Sequence, residues 1–151
     1  LNEEFALRIK RSLKFVTKLG GTSRLADIHG YTEAGKSGTS EKIVQGKYSK
    51  DHYIASFIGF APVERPRFVL LIVVDEPKKE FIPGVGKNYH GGSCAAPIFK
   101  EIGYRTLHYL GVEADDPYGY PYRDPRSDSK KADWNKEVKD LKKLYQEFNG
   151  T

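Results

Sequence analysis

Residues 30–39 read Gly-Tyr-Thr-Glu-Ala-Gly-Lys-Ser-Gly-Thr, which brings an ammonium, hydroxyls and glycines together within ten positions. Gly30-x4-Gly35-Lys36-Ser37 fits the phosphate-loop pattern, in which a glycine-rich backbone cradles phosphates and the lysine reaches them. Lys36-Ser37-Gly38-Thr39 also fits the Lys-Ser/Thr-Gly signature of serine acyl-transfer enzymes. One string thus points to a nucleotide hydrolase or to an acyltransferase. The elements that hold it must arbitrate.

The nucleotide reading has a second support in Phe68 to Glu76, an apolar run ending in Asp75-Glu76 that resembles a metal-holding acidic strand. The local context opposes it. A phosphate loop needs a buried strand before it and a helix after it, so that the helix N-terminus can meet the phosphates. Leu25 to His29 makes a poor buried strand, and Gly46 cuts short any helix after Thr39. A parallel sheet would also need a long crossover between the two motifs, and that region reads as strands and turns.

The acyl-transfer reading suits the pattern better. Residues 33–44 read as a strand carrying Lys36, residues 46–51 as a turn-rich segment, 53–61 as a second strand and 67–75 as a third. The third is continuously apolar, so cover on both its faces is expected. Short connections predict antiparallel hairpins. Helices are expected near residues 3–18, with Asn2 as N-cap and Gly20 as stop, and near 97–110, with Pro97 in the first turn. Phe5, Ile9, Leu13 and Val16 form the first helix's stripe; Ile98, Phe99, Ile102, Tyr109 and Leu110 form the second's. Residues 78–92 read as a loop. The fold class is α/β of the α+β type, an antiparallel sheet of about three strands flanked by helices, with an extra C-terminal helix.

Here the sequence resembles the transpeptidase domain of class B penicillin-binding proteins over roughly residues 13–112. The resemblance rests on pieces in order: Gly20-Gly21-Thr22, Ile28-His29-Gly30-Tyr31, Ala34 to Thr39, Tyr53 to Pro62, Pro66-Arg67-Phe68, Val74 to Pro77, Gly91-Gly92, Ala95 to Ile102, and Leu110-Gly111-Val112. It implies a partial serine β-lactamase/transpeptidase-like fold in which the Lys36 strand forms one wall of a cleft. It implies a catalytic role for Lys36, which helps activate a proton-relay serine and attracts a substrate carboxylate. Ser37, Gly38 and Thr39 would bind substrate, and the Thr39 N–H would be an oxyanion-hole donor. The implied activity is cross-linking of peptidoglycan stem peptides through a serine acyl-enzyme, with acylation by β-lactams. The parent would be anchored in the bacterial cytoplasmic membrane, its transpeptidase domain facing the periplasm or exterior, in a cell-division or elongation complex.

Two motifs of that family are missing. No Ser-x-Asn occurs, and the one Ser-x-x-Lys string, Ser127 to Lys130, follows the lysine strand and lies in Pro-, Asp- and Ser-rich chain. The chain therefore reads as a C-terminal piece of a larger enzyme, soluble and inactive alone, with no nucleophile of its own. It has no methionine, and no apolar run reaches the ~20 residues of a membrane span.

Composition adds bounds. The chain has 151 residues, 38% hydrophobic, with net charge +5 and pI near 9.2. Its dispersed Lys and Arg suit a solvated basic surface and give no nucleic-acid signature. The single Cys94 permits no internal disulfide and reads as packing. His29, His52, His90 and His108 show no metal-ligand spacing. No cofactor or metal is expected.

Three segments follow: the transpeptidase portion at 1–112, an irregular linker at 113–131 holding Tyr118, Tyr120 and Tyr122, and a helical tail at 132–151. In the tail, Trp134, Val138, Leu141, Tyr145 and Phe148 share one helical face behind Asp133 as N-cap. That face is expected to dock on its own domain; the alternative is a non-catalytic binding module that uses the helix.

Overall fold

A computed structural model of the chain describes residues 2–18 and 21–116. Helix α1 spans Glu3–Lys14 and opens on Asn2, whose side-chain oxygen accepts the Glu4 N–H at 3.0 Å. A 3-10 turn follows at Arg24–Ala26, then strands β1 at Ala34–Val44, β2 at Lys47–Ala61 and β3 at Phe68–Asp75. A small hairpin, β4 at Phe81–Ile82 and β5 at Gly86–Lys87, precedes helix α2 at Gly91–Tyr109. The main sheet has order β1-β2-β3, and both pairings are antiparallel. No helix follows Lys36, and Asp75 and Glu76 are ion-paired to Lys42 at 2.9 and 2.7 Å. The nucleotide reading lacks its helix-terminus cradle and falls.

The strands match the sequence reading, with one extension. The stretch expected as turn-rich is mostly strand: Val44 pairs with Lys47 across a two-residue turn. Gln45 and Gly46 both have positive φ, 51° and 79°, the combination whose twist suits a tight hairpin.

α1 ends at Lys14, earlier than the expected 18. Phe15 and Val16 donate to carbonyls three residues back, and the Thr17 hydroxyl takes the Lys14 carbonyl at 3.0 Å. Thr17 and Lys18 then turn inward to Glu33, so side-chain bonds replace further helix. Phe5 and Ile9 of the expected stripe are exposed, while Leu13 and Val16 are partly buried. Gly20 lies outside the described residues.

α2 differs more. It begins at Gly91, six residues ahead of the expected start, inside the stretch taken for loop. Pro97 is therefore inside the helix. Its buried face is Ala95, Ala96, Phe99, Gly103 and Leu107; of the expected stripe only Phe99 faces the sheet, while Ile98, Ile102, Tyr109 and Leu110 are exposed. Small residues decide this. A Cβ on Gly103 would lie 2.7 Å from Ile28 and 3.0 Å from the Phe68 ring, so the helix can sit this close only on its small-residue face.

The core joins α2 to one face of the sheet and to the segment 26–31, through Ala26, Ile28, Tyr31, Phe57, Ala61, Phe99 and Leu107. β3 alternates: Phe68, Leu70, Ile72 and Val74 pack on this core, while Val69, Leu71 and Val73 are 69%, 57% and 57% exposed. Among the described residues β3 is covered on one face, not two.

After α2 the chain straps back over the approach to β1. The Tyr31 hydroxyl donates to the Val112 carbonyl at 2.8 Å, the Thr32 N–H to Asp115 at 2.7 Å, and the Asp116 N–H to the Gly30 carbonyl at 3.2 Å. The rest of the expected linker, Ser127 to Lys130 within it, and the expected tail helix lie outside the described residues.

Candidate active-site strand

Among the described residues β1 is an edge of the three-stranded sheet, with β2 on one side only. Its register decides which way each residue of the Lys-Ser-Gly-Thr string faces. Lys36 is opposite Ile58, which is opposite Leu71. Cross-strand partners share a face, so Lys36 stands on the open, apolar face of the sheet. Its ammonium is exposed and donates to the Ser37 carbonyl at 2.7 Å. Ser37 is opposite Phe57, and Thr39 opposite Ala55, both buried; these hydroxyls belong to the α2 face.

Gly38 is opposite Ser56, and a Cβ there would lie 2.6 Å from the Ser56 hydroxyl oxygen. The N-terminus of α2 meets the strand at the same point. A side chain on Gly91 would collide with the carbonyl oxygens of Ser56 and Gly38. In its absence the Gly91 N–H donates to the Thr39 hydroxyl oxygen at 3.0 Å. One of the helix's free N–H groups is thereby satisfied, and Thr39 is fixed in one rotamer.

A buried charge cluster supports the start of β1, and residue spacing gave no signal for it. Glu33 is wholly buried beside Ala34. Its carboxylate accepts from the Thr17 hydroxyl at 2.6 Å and the Ile28 N–H at 2.9 Å, and pairs with the Lys18 ammonium at 3.0 Å. Lys18 also binds Asp27 and reaches Asp116 at 4.0 Å. Burial pushes the Glu33 carboxyl up to about 7, with Asp27 adding to it, against the pull of Lys18, Thr17 and Ile28. Burial works against the Lys18 charge too, but Glu33 and Asp27 hold its ammonium above the usual range. The two shifts pull opposite ways, one toward a neutral acid and one toward a charged pair. Three donors on one carboxylate favour the charged pair above neutral pH.

Among the described residues, Cys94, His52 and His108 form no nucleophile–base pair. The Cys94 thiol is pushed up by burial, away from thiolate chemistry. His52 bonds Ser49 at 2.8 Å, and His108 stacks near Tyr104 and Tyr31. No group of three or more metal-ligating side chains occurs among the described residues. No helix among them is long and apolar enough to cross a membrane.

Known proteins bear on this geometry. The description "Penicillin binding protein transpeptidase domain" matches residues 2–103. The probable peptidoglycan D,D-transpeptidase PenA of Neisseria flavescens is 34% identical over 112 residues, 74% of this chain and 26% of the relative. Among solved structures, the apo TP domain of Burkholderia pseudomallei penicillin-binding protein 3 has TM-score 0.60 and 37% identity, over 72% of this chain and 30% of that one. Penicillin-binding protein 3 of Mycobacterium tuberculosis, complexed with ampicillin, has TM-score 0.61 and 29% identity, over 76% of this chain and 26% of that one. The chain thus spans about a quarter of the curated relative's length. Its match over residues 2–103 and its edge strand docked on a helix N-terminus agree: the chain belongs to the penicillin-binding protein transpeptidase domain family, class B.

Proposed function

We propose that this chain is the part of a peptidoglycan D,D-transpeptidase that supplies the lysine-strand wall of its active site. The observation that carries this is the edge strand β1, with Lys36, Ser37, Gly38 and Thr39 held by α2 through the Gly91–Thr39 bond. Lys36 supplies a cation that attracts a stem-peptide carboxylate and helps a relay serine lose its proton. Ser37 and Thr39 hold that carboxylate. Gly38 leaves room for substrate beside the strand. The Thr39 N–H stabilises the oxyanion, a contribution of about 2.7–4 kcal/mol for one such donor.

In the reaction, a serine Oγ attacks the carbonyl carbon of the D-Ala-D-Ala peptide bond. The C–N bond breaks, the leaving amine takes a proton, and a serine ester remains. A second amine attacks the ester, forms the cross-link and releases the serine. A β-lactam acylates the same serine and stays. Both the nucleophile of Ser-x-x-Lys and the Ser-x-Asn relay come from outside these 151 residues. The parent is anchored in the cytoplasmic membrane, faces the periplasm or exterior, and works in a division or elongation complex.

Intact-mass spectrometry after incubation with a labelled penicillin tests this reading. The chain alone should gain no covalent adduct. Joined to a segment with both missing motifs it should be labelled, and Lys36→Ala should then suppress labelling. A stoichiometric adduct on the chain alone would overturn the reading and direct attention to Ser127 and Cys94.

A further inference from the structure

We propose that Glu33 is a positioning residue that sets the register of the Lys36 strand, and with it the face on which Lys36 stands. Register is ordinarily set by an apolar pattern or by a hairpin turn, and a slip of one residue moves every side chain to the other face. Such a slip in β1 would send Lys36 toward α2 and put Ser37 and Thr39 on the open face. Neither usual device acts on this strand. Residues 34–41 read Ala-Gly-Lys-Ser-Gly-Thr-Ser-Glu, with Ala34 as their one apolar side chain and two glycines. The turn at Gln45-Gly46 fixes only the pairs Val44–Lys47 and Ile43–Tyr48; beyond them Lys42 stands against residues 49–52, and regular pairing resumes at Glu41–Tyr53. The Gly91–Thr39 bond does not exclude a slip of two, because Ser37 offers the same hydroxyl on the same face. Gly35 rejects displaced residues, since a Cβ there would lie 2.4 Å from the Phe57 ring and 2.7 Å from the Ile58 carbonyl oxygen, but a glycine supplies no hold.

The hold is at the entry. Glu33 directly precedes β1 and is wholly buried. Its two carboxylate oxygens are engaged from different segments. Oε1 accepts from the Thr17 hydroxyl at 2.6 Å and pairs with the Lys18 ammonium at 3.0 Å, both just after α1. Oε2 accepts from the Ile28 N–H at 2.9 Å, just after the 3-10 turn. The Ile28 carbonyl in turn accepts the Tyr31 N–H at 3.1 Å, so the chain from 28 to 33 is closed on itself before it enters the sheet. Three directional partners leave one place for residue 33. A shift by one would bring Thr32 or Ala34 to Lys18 and leave a charge buried without its partner, which is strongly destabilising. An apolar side chain of similar size would fill the same space without that selectivity, and fixing register is the best-attested use of a buried polar group.

The consequence for catalysis rests on the acyl-transfer reading; the register is read without reference to activity, so its failure is distinct from a failure of penicillin labelling. Cross-strand NOEs and amide exchange in the 13C,15N-labelled chain test it. The wild type should show one set of contacts, with Gly35 on Gly59 and Gly38 on Ser56. Glu33→Leu should lose that single set while the β2–β3 pairs stay intact. Either a second set appears, with Gly38 on Phe57 or Ala55 in about a tenth or more of the molecules, or pairing over residues 34–39 is lost. If Glu33→Leu fails to fold, Glu33→Gln keeps the shape and gives up the pair with Lys18. It should speed exchange of the cross-strand-bonded amides of residues 34–39 about tenfold and leave those of β2–β3 unchanged. One unchanged set of contacts in Glu33→Leu overturns the proposal, as do wild-type exchange rates in Glu33→Gln. So does an equal loss of protection over all three strands, which would make Glu33 a general support of the core.

Discussion

The two faces of the β1-β2-β3 sheet are made from alternate residues of the same strands and meet opposite fates. On one face Phe57 and Phe68 pack on the Phe99 ring, with centroids 4.8 and 5.9 Å away, within the buried core between sheet and α2. On the other, Ile58, Val69, Leu71 and Val73 are 47% to 69% exposed, in company with Lys36. A contiguous apolar patch of this kind is uncommon on a free surface. The apolar pattern of β3 is written for two covers, and α2 supplies one. Lys36 stands on the face still open, while Ser37 and Thr39, proposed with it to act on substrate, stand on the side that α2 fixes.

The largest expected effect tests the closed face. Phe99→Ala should cost about 3–5 kcal/mol in a thermal or urea melt, as for a buried aromatic. A loss below about 1 kcal/mol would mean that α2 does not close this core.

The next effect concerns the charge cluster at the start of β1. The Glu33 carboxyl is raised from 4.5 to about 7, so its proton binds the folded chain more tightly than the unfolded one. Its contribution is fully present below pH 4.5 and is lost as pH rises through about 7. Over that window the chain should lose at most on the order of 3 kcal/mol. Lys18, Asp27 and Asp116 face the same carboxyl, directly or through Lys18. Glu33→Gln should flatten the melting temperature between pH 5 and 8; an equal slope in both proteins would place the pH response elsewhere.

Gly91→Ala forces a methyl against the Ser56 and Gly38 carbonyls. It should cost about 1–3 kcal/mol by overpacking. Its amide spectrum should also show Thr39 displaced, and an unmoved Thr39 would separate the strand from the helix terminus. The smallest effect belongs to the open face. Leu71→Ser should change stability by no more than about 0.5 kcal/mol and should improve solubility. A loss of several kcal/mol would show that something covers this face in solution.

The strands were legible because each is a run of β-forming residues broken by turn chemistry, and antiparallel order followed from connections too short for a crossover. The N-cap at Asn2 was legible for the same local reason. Boundaries set by distant partners were not. Gly91-Gly92 looks like loop in one dimension, yet those glycines let α2 begin against the strand. Ala95, Ala96 and Gly103 outrank larger residues for the buried face because close approach of helix to sheet rewards small side chains.

By itself the sequence determined the antiparallel meander, the family and the Lys-Ser-Gly-Thr string, since all of these reside in residue types and near-neighbour spacing. Only the tertiary structure decided that Lys36 and Thr39 face opposite sides of one strand, that Gly91 holds Thr39, and that Glu33 lies buried against Lys18. Those contacts join residues 15 to 52 positions apart, and a linear pattern carries no term for a hydrogen bond closed across such a distance.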